Sequence, residues 1–415
     1  MPRAGQRRPP TGERLSDRIA IGVLTRTYPP ELVDRVVAES GRTQRRQRLL
    51  PARVVVVYYV LAMCLFSQVG YEEVARLLTE GLAWARRWRG SWQVPTTGAI
   101  ARARARLGAE PLRALFRAAV RPLATPATSG AWYRDWRLAS LDGTTLDVAD
   151  TPANAVAFGR PRTHRGEQAA FPQVRVMALA ECGTHAIIDA ELGAYTTGEL
   201  SLAPALTRSL TAGMLVLGDR GLVSFDLWRA MAQTGADLLW RTRTNAVLPV
   251  VQTLPDGSYR SQIVAARDHR HGRDPITVRV VEYHLQDPGR PRRPAPYRLV
   301  TTILDPDAAP AVELAALYAQ RWELETALDE LKTHQRGPSL VLRSKTPQGV
   351  EQEVWGMLLV HYAIRQLMHQ AALDGEVDPD RVSFVRSLRV VRRQVMRQAG
   401  FSPSAAGPGQ HGHDH

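Results

Sequence analysis

Tyr318, Arg321, Glu325 and Lys332 stand at spacings of three, four and seven in the run Y-A-Q-R-W-E-L-E-T-A-L-D-E-L-K. At roughly 100° per residue, a helix gathers all four into one stripe about 60° wide. One face thus sets a carboxylate among a phenol, a guanidinium and an ammonium. A carboxylate can hold a divalent cation and basic groups can hold phosphate oxygens, so the stripe suits metal-dependent phosphodiester chemistry. Trp322 lies at the edge of the stripe. There it either packs beside the leucines of the helix, the weightier alternative, or stacks on an unpaired base. Asp329, one turn past Glu325, reads as an ion-pair partner of Lys332 or Arg321.

Two aspartates upstream supply what the stripe lacks. Asp142 sits where an apolar strand meets Gly143, and Asp219 follows another apolar strand in Leu217-Gly218-Asp219-Arg220-Gly221. In open α/β sheets the strand ends face a common crevice, and glycines there let a ligand approach the backbone. Either aspartate alone reads first as a turn or cap residue. Together with Glu325 they make three oxygen donors from separated elements, the set that a site for two Mg²⁺ ions requires, with Mn²⁺ as a substitute. Asp147, at odd spacing from Asp142, falls on the opposite face of the strand. His269, His271 and His284 lack cysteines or close pairing and read as surface residues.

These residues must be positioned by a chain of 415 residues, long enough for two or three domains. Its 54 basic and 40 acidic residues leave a formal charge of +14, which favours a polyanionic partner, nucleic acid being the commonest. Nearly all the positive charge is arginine; the lysines are Lys332 and Lys345. Cys64 and Cys182 are too few for a disulfide framework or a thiolate cluster, and point to a reducing cytoplasm. The longest apolar run, 54–66, is too short to span a bilayer and reads as a buried helix; the basic N-terminus has no apolar segment behind it, so no membrane partner is expected.

Along the chain, residues 1–14 form a basic tail and 15–130 make a helical region, with Trp84, Trp88 and Trp92 in it. Its helical patterns run to about 120, and it closes on an Ala-Thr-Pro-Ala-Thr-Ser-Gly linker at 124–130. Thr96 or Thr97 caps a helix that Gly108 ends, and its Arg102 and Arg106 share a face. That face suits either a DNA groove or plain solvent. Strands are expected at 137–148, 174–180 and 186–192, then a helix at 199–210, a strand at 214–217, a helix at 225–233 and a strand at 236–241. Three strands followed by alternating helix and strand is the order of a ribonuclease-H-like α/β core.

Further strands at 247–252, 276–284 and 297–304, with a turn at Asp256-Gly257 and a Pro/Arg loop at 288–296, make a β-rich insertion over about 245–308. A long helix from about 309 to 334 follows, apolar along Leu317, Leu324, Leu328 and Leu331, and then a last apolar helix at 350–371. The catalytic region thus spans 131–375. Residues 376–415 hold a C-terminal helix and a Gly/Pro/His-rich tail with His411, His413 and His415.

Asp142-Gly143, Gly218-Asp219-Arg220-Gly221 and Tyr318-x2-Arg321-x3-Glu325-x6-Lys332 strongly resemble DDE transposases of the insertion-sequence-four group. Leu342-Arg343-Ser344-Lys345-Thr346-Pro347 with 351–353, and the stretch 101–108, resemble that group too. The resemblance covers roughly 15–370. It implies a ribonuclease-H-like core preceded by an all-α DNA-binding region, and Mg²⁺ held by Asp142, Asp219 and Glu325. Tyr318, Arg321 and Lys332 would bind phosphates of the element's end. The activity implied is cut-and-paste transposition: hydrolysis at each terminal inverted repeat, then attack of the freed 3′-hydroxyl on target DNA by a nucleoid-associated homodimer. Two rivals share the fold, a catalytically silent sequence-specific DNA-binding protein and a metal nuclease that hydrolyses without joining.

Overall fold

The structure is a computed structural model that describes residues 23–43, 53–83, 95–162, 168–265, 274–284, 297–336 and 341–400. The three N-terminal tryptophans, His269, His271, the 1–14 tail, the 288–296 loop and the terminal histidines lie outside it. The centre is one eleven-stranded sheet. Its strands are β1 (Trp132–Tyr133), β2 (Trp136–Val148), β3 (Gln173–Glu181), β4 (Ile187–Ala194), β5 (Met214–Gly218), β6 (Asp237–Arg241), β7 (Gln252–Thr253), β8 (Tyr259–Ile263), β9 (Ile276–Tyr283), β10 (Tyr297–Thr301) and β11 (Val341–Leu342).

The order along the sheet is β4-β3-β2-β5-β6-β10-β9-β8-β7. β2, β3 and β4 are antiparallel neighbours, while β5 and β6 run parallel to β2. That order and those directions, read over the first five long strands, are the ribonuclease-H-like arrangement expected. The insertion does not stand apart: β10 pairs with β6 and carries the sheet outward through β9, β8 and β7.

The expected strand at 247–252 is mostly loop. Val247, Val250 and Val251 are exposed, because no facing layer covers them and β propensity alone does not hold a strand. β8 is a strand that the sequence does not announce; its Tyr-Arg-Ser-Gln-Ile alternates too weakly to signal one. The helix expected at 199–210 is one helical turn, Glu199–Leu202, that tightens into a 3₁₀ segment, Ala203–Ser209, with Pro204 at its start.

The long helix around Glu325 is also not uniform. Ala311–Leu317 is α-helical, Tyr318–Arg321 is a 3₁₀ turn, Trp322–Asp329 is α-helical again and Glu330–His334 is a π turn. Leu324, Leu328 and Leu331 are buried against the sheet and the last helices. Glu330 explains the π turn: its buried carboxylate takes hydrogen bonds from Arg365 Nε at 2.9 Å and His361 Nε2 at 3.2 Å, both on the long helix Pro347–Asp374. Reaching them draws in one more residue than an α turn holds.

The N-terminal helices Val23–Thr27, Arg53–Leu65, Thr97–Leu107 and Glu110–Ala119 pack on that long helix, Tyr71–Ala83 packs on the helix Phe384–Gly400, and Pro30–Glu39 packs on Arg53–Leu65 and Glu110–Ala119. Tyr28 Oη donates to the Leu359 carbonyl at 2.7 Å. Thr96 caps the Thr97–Leu107 helix through the Ala99 amide, and Gly108 ends it at φ +78°. Leu24, Tyr58, Phe116, Leu358 and Val176 belong to one hydrophobic cluster that runs from these helices to one face of the sheet. The other face carries Leu215, Leu217, Leu239 and Leu299 under Leu314 and Tyr318. No helix among the described residues is long and apolar enough to cross a membrane.

Candidate active site

β2 and β5 are parallel neighbours with Leu141 opposite Gly218, so Asp142, within β2, lies level with Asp219 at the C-terminal edge of β5. The helical run 318–334 crosses that edge. Ser140 Oγ donates to the Arg321 carbonyl at 3.4 Å, and Tyr318 Oη donates to the Gly218 carbonyl at 3.1 Å. Arg321 then reaches both sides: Nη1 lies 3.6 Å from Asp142 Oδ2 and Nη2 lies 2.8 Å from Glu325 Oε1. The structure therefore brings Asp142, Asp219, Tyr318, Arg321 and Glu325 together.

Asp142 is strongly perturbed by its surroundings. Burial is the largest influence on it and raises its pKa; the Gly143 amide and Arg321 pull it down, and the charges of Asp219 and Glu199 push it up again, leaving it at about 6. A desolvated carboxylate beside two other negative groups is a place where added positive charge is stabilising. The donors are all hard oxygens, the chemistry that fits Mg²⁺ or Mn²⁺ rather than zinc. As placed, the Arg321 guanidinium holds the middle of the group, and no three acidic, histidine or cysteine side chains among the described residues close around one point. The donor set suits the metals, and their uptake requires the carboxylates or Arg321 to turn.

The glycines serve the protein's own packing. A Cβ on Gly143 would lie 2.5 Å from Glu199 Oε1, and one on Gly218 would lie 2.8 Å from the Trp240 indole. They make room for these side chains. Glu199 is a neighbour that the sequence does not reveal, because its surroundings there are those of a helix start. Arg175 holds it at 2.8 Å, beside Asp142.

The phosphate-binding group divides. Tyr318 and Arg321 are buried, and the Tyr318 hydroxyl is pushed up chiefly by that burial. Lys332 is half-exposed and has no ion pair among the described residues. Trp322 is 61% exposed, which removes the packing alternative, and its ring lies 5.1 Å from the Arg321 guanidinium carbon. Asp329 pairs with neither Lys332 nor Arg321. It accepts from Thr333 Oγ1 at 2.7 Å and lies 3.7 Å from His334 Nε2, since the π turn shifts the helical phase of residues 330–334.

Arg102 is exposed and Arg106 half-exposed. Between them Arg104 is buried on Gln352, Ser344 and the Gly349 carbonyl. Asp147 accepts from Gln173 and Asp150 pairs with Arg160, away from the acidic group, and His284 is exposed.

Comparison with known proteins gives the family. Residues 18–117 match the family described as insertion element 4 transposase N-terminal, and residues 135–362 match the transposase DDE domain. The transposase InsG for insertion sequence element IS4 of Escherichia coli K12 is 30% identical over 383 residues, covering 90% of this chain and 83% of that one. The chain belongs to the insertion-sequence-four family of DDE transposases. As a member it is a DNA-cleaving and strand-transfer enzyme. InsZ of the same strain is 27% identical over 142 residues, covering 34% of this chain and 48% of that one. A chain of a piggyBac transposase synaptic complex with hairpin DNA aligns at TM-score 0.47 and 12% identity, over 94% of this chain and 83% of that one.

Proposed function

We propose that this transposase carries out Mg²⁺-dependent cut-and-paste transposition, with Asp142, Asp219 and Glu325 as metal ligands. The observation that carries the reading is the single guanidinium of Arg321 between Asp142 and Glu325, with Asp219 on the adjacent strand end. Two divalent cations supply Lewis-acid stabilisation of the attacking and leaving oxygens of a phosphodiester. The protein's share is alignment. Tyr318 fixes the helical run to the end of β5, so Glu325 is held across from the two aspartates. Arg321, between Asp142 and Glu325, keeps two of the three carboxylates together, and all three would hold the cations.

Lys332 and Trp322 are the members of the group best placed to meet DNA, one for a phosphate and one for an unstacked base. Arg102 and Arg106 add an N-terminal contact with the terminal repeat. Two ends must be cut in concert, so the working form is a homodimer bridging them, in the nucleoid. The test is cleavage of a duplex carrying the element's end. It requires Mg²⁺ or Mn²⁺, stops with EDTA, and is indifferent to zinc chelation at buffered Mg²⁺. Full cleavage in EDTA overturns the metal reading. Joining of pre-cut ends to a target plasmid separates this enzyme from a nuclease on the same fold, which would leave such ends unjoined.

A further inference from the structure

The helix Phe384–Gly400 lies beyond both family matches, the second of which stops at residue 362. Its sequence holds five arginines (386, 389, 392, 393 and 397) and no acidic residue, so seventeen residues carry +5 of the chain's formal +14. Phe384, Leu388 and Val391 are buried against the body of the protein. Arg386, Arg389 and Arg393 recur at spacings of three and four and are exposed. None of the three forms an ion pair among the described residues, unlike Arg76, Arg113 and Arg229, each paired with an acid one turn before it.

A solvated helix face in a globular protein ordinarily mixes its signs, because unrelieved like charges three or four residues apart repel. This face bears that repulsion over about two turns. Its position is fixed by Arg392, whose Nε donates to the Leu65 carbonyl at 2.7 Å and whose Nη2 donates to the Gln335 carbonyl at 2.9 Å. Gln335 immediately follows the Glu330–His334 turn that carries Lys332, and the helix packs against that turn. The helix that bears the basic face thus packs against the turn that carries the half-exposed lysine.

We propose that Arg386, Arg389 and Arg393 form a second track for duplex DNA, gripping the backbone of the duplex that runs on past the active site. Guanidiniums without an acidic partner on one ridge suit phosphates of any sequence, so the track supplies grip and not base reading, although Arg393 Nε also donates to the Arg389 carbonyl at 3.3 Å. The inference rests on the proposed reading of Lys332 as a DNA contact, and the experiment separates the two.

Full-length protein and the triple variant Arg386→Gln/Arg389→Gln/Arg393→Gln are titrated, over a salt series, with an end-bearing duplex and with a scrambled duplex of the same length. A control triple, Arg76→Gln/Arg113→Gln/Arg229→Gln, removes the same charge from paired sites. The track variant is expected to weaken binding to both duplexes alike and to lower the log–log salt slope by roughly 0.9 for each phosphate left without its arginine, up to about 2.7. The control triple is expected to leave the slope unchanged, and both variants to melt with the wild type, since only exposed side chains change. Equal slopes for wild type and track variant overturn the track while leaving the active-site reading intact. Equal weakening by the two triples reduces it to bulk charge. Unchanged DNA binding with lost binding to phosphatidylserine vesicles assigns the face to a lipid surface instead. Failure of the wild type to bind either duplex overturns both readings.

Discussion

At the scale of the residue, the stripe that the sequence presents as one phosphate-and-metal face separates into two jobs. Tyr318 and Arg321 are spent on the protein, one on the Gly218 carbonyl and one on Asp142 and Glu325, while Lys332 and Trp322 look outward. The three carboxylates stand out in the sequence because each is at a chemically marked place, Asp142 before a glycine within β2, Asp219 just past β5 and Glu325 in a helical repeat. Burial was not legible, since helical phase tells which residues share a face and not what covers it. Salt dependence of end binding reads the difference. Lys332→Ala should lower the slope by roughly 0.9, and Arg321→Ala should leave it unchanged while destroying cleavage. An equal drop in slope for both variants would put Arg321 on phosphate and not on carboxylate. The two acids of the same helix separate as sharply. Glu325→Ala should abolish nicking and strand transfer and keep end binding. Asp329→Ala should keep substantial cleavage, because an exposed helical pair of the kind it makes with His334 is worth only about 0.3–0.5 kcal/mol. An inactive Asp329→Ala beside an active Glu325→Ala moves the metal site by one turn.

At the scale of the element, the leucine pattern of 309–334 announces a helix and hides its 3₁₀ and π turns, because both preserve the apolar face. The cause of the irregularity lies in other parts of the chain: Glu330 is drawn to Arg365 and His361, and Glu323 leans on the hairpin turn after β3, where its carboxylate accepts from the Gly183 amide. Burial pushes Glu323 up to about 7, against the Gly183 amide and the His185 charge, with Asp380 and Asp378 adding to the rise. Unfolded, a glutamate ionises in its ordinary range near pH 4. Between those values the native state therefore binds the extra proton, and stability falls as the pH climbs through about 7. Glu323→Gln carries no such loss. Its melting temperature is expected to exceed that of the wild type at pH 8, with the gap closing by pH 5. A gap of constant size across that range would show that Glu323 is already ionised and paired in the folded protein.

At the scale of the whole molecule, the sequence suggests a helical DNA-binding region tied by a linker to a catalytic one, whereas the structure runs a single hydrophobic cluster through both. Val57, Leu61, Leu107 and Phe116 from the N-terminal helices meet Val354, Leu358 and Tyr362 from the long helix that closes the sheet. Polar contacts seal the seam: Arg104 Nε reaches Gln352 Oε1 at 3.1 Å and its Nη2 reaches Ser344 Oγ at 2.9 Å, while Gln352 Nε2 donates back to the Arg104 and Gly108 carbonyls. Linker composition at 124–130 speaks of backbone freedom and not of what packs on either side of it, so a shared core is invisible to it. Such a shared core predicts one cooperative unit. Calorimetry of the full chain should give a single transition, and Arg104→Ala should lower it, with each charged hydrogen bond removed costing about 1.5–3 kcal/mol. Removing residues 1–122 strips one side of the long helix, which is apolar over most of its circumference. The remainder should bind a hydrophobic dye and melt without a cooperative step. Sharp melting of that fragment, with cleavage of nonspecific DNA retained, would make the helical region a separable domain and the shared cluster an ordinary domain interface.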